Sequence, residues 1–195
     1  MLRARNAATV AASVVNGLLT NAQCIGPSDL DKVTWTPAYI GVGSNLDDPA
    51  AQVRRACDAL SDIQGARLMA VSRCYSNPPM GPQDQPDYVN AVAALLTTLP
   101  SRKLLDELQL LEVALGRVRT AGDRWGPRII DLDLLIHGLN LHSSPELTLP
   151  HPGISHRNFV LFPLRDIAPA LMVPGQGTVA ALAAAADGAS LVALT

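Results

Sequence analysis

The chain has 195 residues and 20.5 kDa, is 48% apolar, and carries 15 Lys+Arg against 17 Asp+Glu for a formal charge of −2. That length closes the core of one domain, and the apolar share excludes a disordered chain. Near-neutral charge excludes a general nucleic-acid or anionic-membrane binder, and no apolar run is long enough to span a bilayer.

Residues 1–28 contain no Asp or Glu, carry Arg3 and Arg5, and are rich in Ala, Val, Ser and Asn. They have the outward look of a signal or transit peptide. Asn16 and Gly17 interrupt the apolar stretch, however, and Cys24 follows a poor lipid-attachment context. The preferred reading is an amphipathic extension over residues 1–35 that packs loosely or against a neighbouring subunit, with 36–195 as a single domain. Cys24, Cys57 and Cys74 form no CxxC and cannot all pair, which fits a reduced, cytoplasmic protein. An organellar location follows only if the extension is a transit peptide.

Ala38–Gly43 is short and apolar, a first strand. Asp47, Asp48 and Pro49 then supply a cap and a first-turn proline, and Ala50, Val53, Ala56, Cys57 and Leu60 recur at helical spacing. Arg67–Tyr75 reads as the second strand and Tyr88–Thr97 as the third. A second helix opens at Leu99-Pro100-Ser101, with Leu104, Leu105, Leu108, Leu111 and Leu115 as its apolar stripe, and Gly116 closes it. Ile129–Ile136 is the fourth strand, and Asn158–Pro169 and Val179–Ala186 add short helices. The order βαββαβ is that of the ferredoxin-like split unit, so the expected class is α+β, an antiparallel sheet backed by two helices on one face.

Two connections, Ser76–Asp87 and Arg117–Arg128, are long enough to be functional. The first holds four prolines and is stiff; the second holds Arg117, Arg119, Arg124 and Arg128, four of the chain's 13 arginines. In the fourth strand Asp131 and Asp133 project from the same face, their Cα atoms roughly 6–7 Å apart, while Ile130, Leu132, Leu134 and Ile136 take the core face. Two close carboxylates call for a cation, and Mg²⁺ completes its shell with water and phosphate oxygens. With Arg128 delivered beside them, carboxylates, cation and arginine suit a polyphosphate. There is no P-loop, Gly41-Val-Gly43 lacks the third glycine of a dinucleotide fingerprint, and His151 and His156 have no companion ligands for zinc. Ser44 and Asn45 suit a turn cap. His151 is either a phosphate or ribose contact or a satisfied loop histidine.

Tyr39-Ile-Gly-Val-Gly-Ser-Asn-Leu46, Pro78-Pro-Met-Gly-Pro-Gln-Asp-Gln-Pro-Asp-Tyr-Val-Asn90, Gly116-Arg-Val-Arg119, Arg124-Trp-Gly-Pro-Arg-Ile-Ile-Asp-Leu-Asp133, Leu149-Pro-His-Pro152 and Arg157-Asn-Phe159 follow one another in order. This string resembles the hydroxymethyl-dihydropterin pyrophosphokinase family of folate biosynthesis over about residues 38–175. The resemblance implies a ferredoxin-like fold and transfer of pyrophosphate from ATP to the pterin hydroxymethyl oxygen, with release of AMP. It implies that Asp131 and Asp133 hold two Mg²⁺ ions, that Arg117 and Arg128 act on the transferred group, and that Arg119 meets the phosphates. It assigns Gly43, Asn77, Pro78, Met80, Tyr88, Asn90, Trp125 and Phe159 to the pterin, and Gln109, Glu112, Arg128, Thr148, His151 and Arg157 to the nucleotide side. Three departures stand out: Asn77 replaces the threonine common before Pro-Pro, the Arg119–Arg124 stretch is one residue longer than the shortest family loops, and the N-terminal extension has no counterpart.

The expected partners are thus two small molecules, without nucleic acid or membrane, and the chain is expected to be a monomer or weak homodimer. Two other classes compete with an enzyme: a non-catalytic ligand-binding module, and a single-strand RNA binder, which needs exposed aromatics on the central strands.

Overall fold

The computed structural model of the chain describes residues 33–118 and 126–194; the N-terminal extension up to residue 32, Arg119, Arg124 and Trp125 lie outside the described residues. The elements begin with β1 (Thr36–Ser44), α1 (Pro49–Ala59), β2 (Ala66–Val71), β3 (Tyr75–Asn77) and β4 (Tyr88–Thr97). They continue with α2 (Ser101–Ala114), β5 (Asp131–His137), α3 (Asn158–Ile167) and α4 (Val179–Ala185). All pairs in the main sheet are antiparallel: β4 lies beside β1, β1 beside β5, and both β2 and β3 pair with the other edge of β4. Val192–Ala193 near the C-terminus extends the sheet beyond β3.

Local chemistry sets the helix ends. Asp48 caps α1, its carboxylate accepting from the Ala51 N–H at 3.2 Å, with Pro49 in the first turn. At the end of α2, Gly116 takes φ +97°; its N–H donates to the Val113 carbonyl and the Arg117 N–H to the Glu112 carbonyl. This left-handed closure is the reason a glycine stands there, and it turns Arg117 back toward the last turn of the helix.

Apolar side chains pack on both faces of the sheet. On one face Ala38, Ile40, Val42, Leu132 and Leu134 meet Val53, Ala56 and Cys57 of α1 and Leu104 and Leu108 of α2. On the other, Tyr39, Val92, Leu135 and Ile136 meet Val160, Leu161 and Leu164 of α3 and Val179 and Ala183 of α4. The expectation of helices on one face alone therefore holds for α1 and α2 only.

Two strand readings change as well. The single strand expected over Arg67–Tyr75 is two, β2 ending at Val71 and β3 starting at Tyr75: just past β2 the Ser72 hydroxyl accepts from the Val92 N–H at 2.9 Å in place of a backbone partner, and within β2 the register already slips between Leu68 and Ala70. In β5 a register shift opposite Tyr39 and Ile40 puts Ile136 in the second core, not with Leu132 and Leu134. The extra residue reverses the alternation, so that Leu135 and Ile136 both serve the face of Asp131 and Asp133.

Candidate active site

Strand register builds the floor. Asn90 of β4, Gly43 of β1 and Asp131 of β5 lie opposite one another in one row, and Val92, Gly41 and Asp133 form the next. Because β1 contributes glycines in both rows, the middle of this face is open between an amide on one side and two carboxylates on the other. A cleft of about 590 Å³ occupies the opening. Its lining takes in Asn77, Met80 and Tyr88, then Arg117, Arg128, Asp131 and Asp133, and finally Gln109, Glu112, Thr148, His151, Arg157 and Phe159. Pro78 lines an adjoining hollow of about 460 Å³ that shares Asn77, Met80 and Phe159 with the cleft. Of the residues given a pterin, nucleotide, metal or phosphate role from the sequence, Arg119 and Trp125 lie outside the described residues, as does Arg124; all the others border one or both spaces.

On the amide side, Asn90 Nδ2 donates to Asn77 Oδ1 at 2.7 Å, and Asn77 Nδ2 donates to the Pro78 carbonyl at 2.8 Å. Both asparagines are buried, so their orientation is fixed by each other and by the start of the prolyl loop. Gly43 is required here by contact: a Cβ would stand 2.7 Å from Asn90 Oδ1. Tyr88 donates its hydroxyl to the Gly126 carbonyl at 3.1 Å, linking β4 to the segment that leads into β5. Glutamines stitch the prolyl loop to itself, Gln83 to the Pro79 and Gly81 carbonyls and Gln85 to that of Pro82.

The charged side is a set of interlocked pairs. Arg117 donates to both Glu112 and Asp131, and Arg128 Nη1 donates to Asp131 Oδ2 at 3.1 Å. Arg157 lies 3.7 Å from Asp133. Glu112, 1% exposed, also accepts from the Leu132 N–H at 2.7 Å, so it covers a backbone donor on the outer edge of β5. Burial, then the neighbouring Asp131 carboxylate, push the Asp133 carboxyl well above the ordinary carboxylate range. His151 accepts from the Gly153 N–H at its Nδ1 (3.0 Å), which leaves Nε2 as the ring's donor. Burial and the nearby Arg157 lower its pKa to about 4, so the ring is neutral at physiological pH.

The donor set suits a hard divalent cation delivered with a substrate. Among the described residues no group of three or more His, Cys, Asp or Glu side chains comes together as a metal site. A cation here would have the two same-face carboxylates and would complete its shell with substrate oxygens and water, as Mg²⁺ does.

Gly41, Gln85, Leu105 and the Pro145–Leu147 stretch also line the cleft, without a motif of their own in the sequence. Asn45 does more than cap a turn: its side chain reaches Gln85, Pro86 and Arg128. Gln85 stood within the prolyl string; the Asn45 contacts span 40 to 83 positions and leave no periodic signal. Of the sheet's tyrosines, Tyr39 of β1 and Tyr75 of β3 are each 4% exposed and Tyr88 of β4 is half-buried, so the described residues place no pair of exposed rings on adjacent strands of the kind an RNA binder needs. Among the described residues no helix is long and apolar enough to cross a membrane.

Comparison with known proteins places the chain among its relatives. The chain is 47% identical over 137 residues to a 2-amino-4-hydroxy-6-hydroxymethyldihydropteridine pyrophosphokinase of Haemophilus influenzae, covering 70% of this chain and 84% of that one. To the protein of the same name from Pseudomonas aeruginosa it is 48% identical over 136 residues, covering 70% and 83%. In fold it resembles the crystal structure of Plasmodium falciparum HPPK-DHPS wild type with pteroate, at TM-score 0.62 and 13% identity, over 79% of this chain and 43% of that longer one. Residues 39–169 match the family described as 7,8-dihydro-6-hydroxymethylpterin-pyrophosphokinase (HPPK), and the chain belongs to that family.

Proposed function

We propose that the cleft carries out the family reaction by in-line attack of the pterin hydroxymethyl oxygen on the β-phosphorus of MgATP. The new bond joins that oxygen to the β-phosphorus, the bond from the β-phosphorus to the α-phosphate's bridging oxygen breaks, AMP leaves, and the hydroxyl proton passes to water. The reaction belongs to folate biosynthesis, and the chain is a pyrophosphoryl transferase. The observation that carries the mechanism is the row Asn90–Gly43–Asp131, which sets an amide-recognition group and a carboxylate on either side of a residue with no side chain.

In this reading Asn90 and Asn77 face the amide edge of the pterin, and Phe159, Tyr88, Pro78 and Met80 bound its ring. Trp125 closes over the ring, as the family resemblance implies. Asp131 and Asp133 hold two Mg²⁺ ions, which when bound align the triphosphate and offset its charge. Arg117 and Arg128 neutralise charge developing on the transferred group and on AMP, with Arg119 on the phosphates; positioning and electrostatics supply most of the rate. Gln109, Glu112, Thr148, His151 and Arg157 form the nucleotide side, and His151 offers Nε2–H as a neutral donor. The strand order β2/β3–β4–β1–β5, with α1 and α2 on one face, supports a ferredoxin-like core to which α3 and α4 are added.

Incubation of the purified protein with MgATP and 6-hydroxymethyl-7,8-dihydropterin, with AMP followed by chromatography, tests this reading. AMP release well above that of Asp131→Asn is expected. Ligand binding without AMP release would leave a non-catalytic binding module instead.

A further inference from the structure

We infer that Asn45 is a positioning residue that locks the prolyl loop to the backbone of Arg128, an inference that rests on the reading of the cleft just given. Asn45 directly follows β1 and is 1% exposed. Its Nδ2 donates to Gln85 Oε1 at 3.0 Å and to the Pro86 carbonyl at 3.1 Å, so both side-chain donors are spent on the prolyl loop. Its Oδ1 accepts from the Arg128 N–H at 2.8 Å, and its own N–H donates to the Arg128 carbonyl at 3.1 Å. One residue thus holds both backbone groups of Arg128 and, through the same amide, the far end of the prolyl loop. Gln85 carries the link onward, donating to the Pro82 carbonyl at 2.9 Å.

The two tethered segments bear opposite halves of the site. The prolyl loop contributes Pro79, Met80 and Gln85 to the lining, and Arg128 sends its guanidinium to Asp131. A buried amide that loses a partner leaves a desolvated polar group, so neither segment moves away from Asn45 freely. The Arg128 main chain is held in register with the pterin-side loop before substrate arrives, and a misplacement of about 1 Å at such a group costs on the order of 100-fold in rate. Asparagine alone combines two donors and an acceptor at this reach: aspartate lacks the donors, and serine is too short.

Two substitutions separate the halves. Asn45→Asp keeps the acceptor for the Arg128 N–H and loses both donors to the prolyl loop; Asn45→Ala loses all three. Expected for Asn45→Asp is a rise of about tenfold in KM and calorimetric Kd for the pterin, with kcat within about threefold of wild type. For Asn45→Ala, kcat should also fall by about tenfold or more while KM for MgATP stays within about threefold. A merely structural residue would lower the melting temperature without this split when activity is read well below the transition. Should Asn45→Ala fail to fold, Gln85→Leu removes the loop-side acceptor without touching β1, and a pterin Kd unchanged in it would overturn the inference. So would folded Asn45 variants whose kcat and pterin KM stay within about twofold of wild type, or an aspartate variant that loses kcat alone. Absence of AMP from the wild-type protein would count against pyrophosphoryl transfer; wild-type activity with unaltered variants would count against Asn45 alone.

Discussion

Gly43→Ala tests whether the open middle of the sheet is what admits the pterin. The added Cβ would stand 2.7 Å from Asn90 Oδ1, whereas ordinary contact begins at 3.4 Å, so the oxygen would have to retreat by about 0.7 Å. That oxygen is not the end of a flexible chain. Its amide is anchored by the 2.7 Å bond to Asn77, which is itself bonded to the Pro78 carbonyl at 2.8 Å. Relief therefore comes from rotating Asn90 and stretching a buried bond, or from bowing β1 away from β4. Overpacking of this kind costs about 1–3 kcal/mol, and because the displaced group is the one proposed to meet the pterin amide edge, the cost should fall on pterin affinity. The expected result is a pterin Kd raised by about 5- to 150-fold, read by calorimetry in the presence of a non-hydrolysable MgATP analogue, with KM for ATP little changed. Gly41→Ala provides the contrast, since its Cβ meets Leu135 at 3.5 Å and Asp133 at 3.7 Å, both ordinary contacts, and it should cost less pterin affinity. A Gly43→Ala protein with the wild-type pterin Kd would refute both the packing argument and the assignment of Asn90.

If its guanidinium acts on charge that develops in the transition state, as proposed, Arg128→Ala should lower kcat by about 100-fold while raising KM for ATP by only about threefold; equal losses in both would make it a plain binding residue. Glu112→Ala strips the buried acceptor from the Leu132 N–H and from Arg117 and should cost about 2–4 kcal/mol in urea denaturation. Glu112→Gln keeps the Leu132 acceptor and should cost less; equal losses would show that only the charge matters. His151 gives a pH signature. Its folded pKa of about 4 lies below the ordinary 6.5, so between those values the unfolded chain binds a proton that the folded chain does not. Stability from this group is complete above about pH 6.5 and falls as the pH drops toward 4. His151→Gln should lose less melting temperature than wild type between pH 7 and 5, and parallel losses would contradict the assignment.

Much of the site was legible because strand chemistry is periodic. Asp131 and Asp133 share a face by two-residue spacing alone, whereas the opening at the glycines of β1 emerges only from their pairing with β4 and β5. What escaped depends on departures from period. The register slip in β5 moves Ile136 to the other core, and the Ser72 hydroxyl ends β2 early; neither leaves a pattern in the residue order. Glu112 is an intermediate case. Leu104, Leu108 and Glu112 are the buried residues of α2, one row at four-residue spacing, so the acid completes an apolar stripe at the position nearest the cleft. A charged residue in a buried row is a signal, but its partners, a backbone N–H of β5 and the Arg117 side chain, belong to the fold and not to the helix.

The pairing of charges makes a less obvious demand on nucleotide binding. Asp131 holds two arginines and Asp133 faces a third, so the guanidiniums suited to a triphosphate are already engaged by the carboxylates suited to its cation. Free ATP would have to draw Arg117 and Arg128 off Asp131 and leave that carboxylate without a counter-charge, whereas MgATP exchanges arginine for metal on one side and carboxylate for phosphate on the other. Charge-assisted bonds of this kind are worth about 1.5–3 kcal/mol each, so the exchange rather than the total charge decides affinity. Asp131→Asn should consequently move nucleotide affinity in opposite directions: tighter for ATP in EDTA, by about tenfold for one such bond released, and weaker for MgATP. Calorimetric titration under the two conditions reads both signs in one variant. A metal-free affinity that is unchanged or falls would mean that Asp131 does not restrain the arginines, and that their bonds to it yield to phosphate without cost.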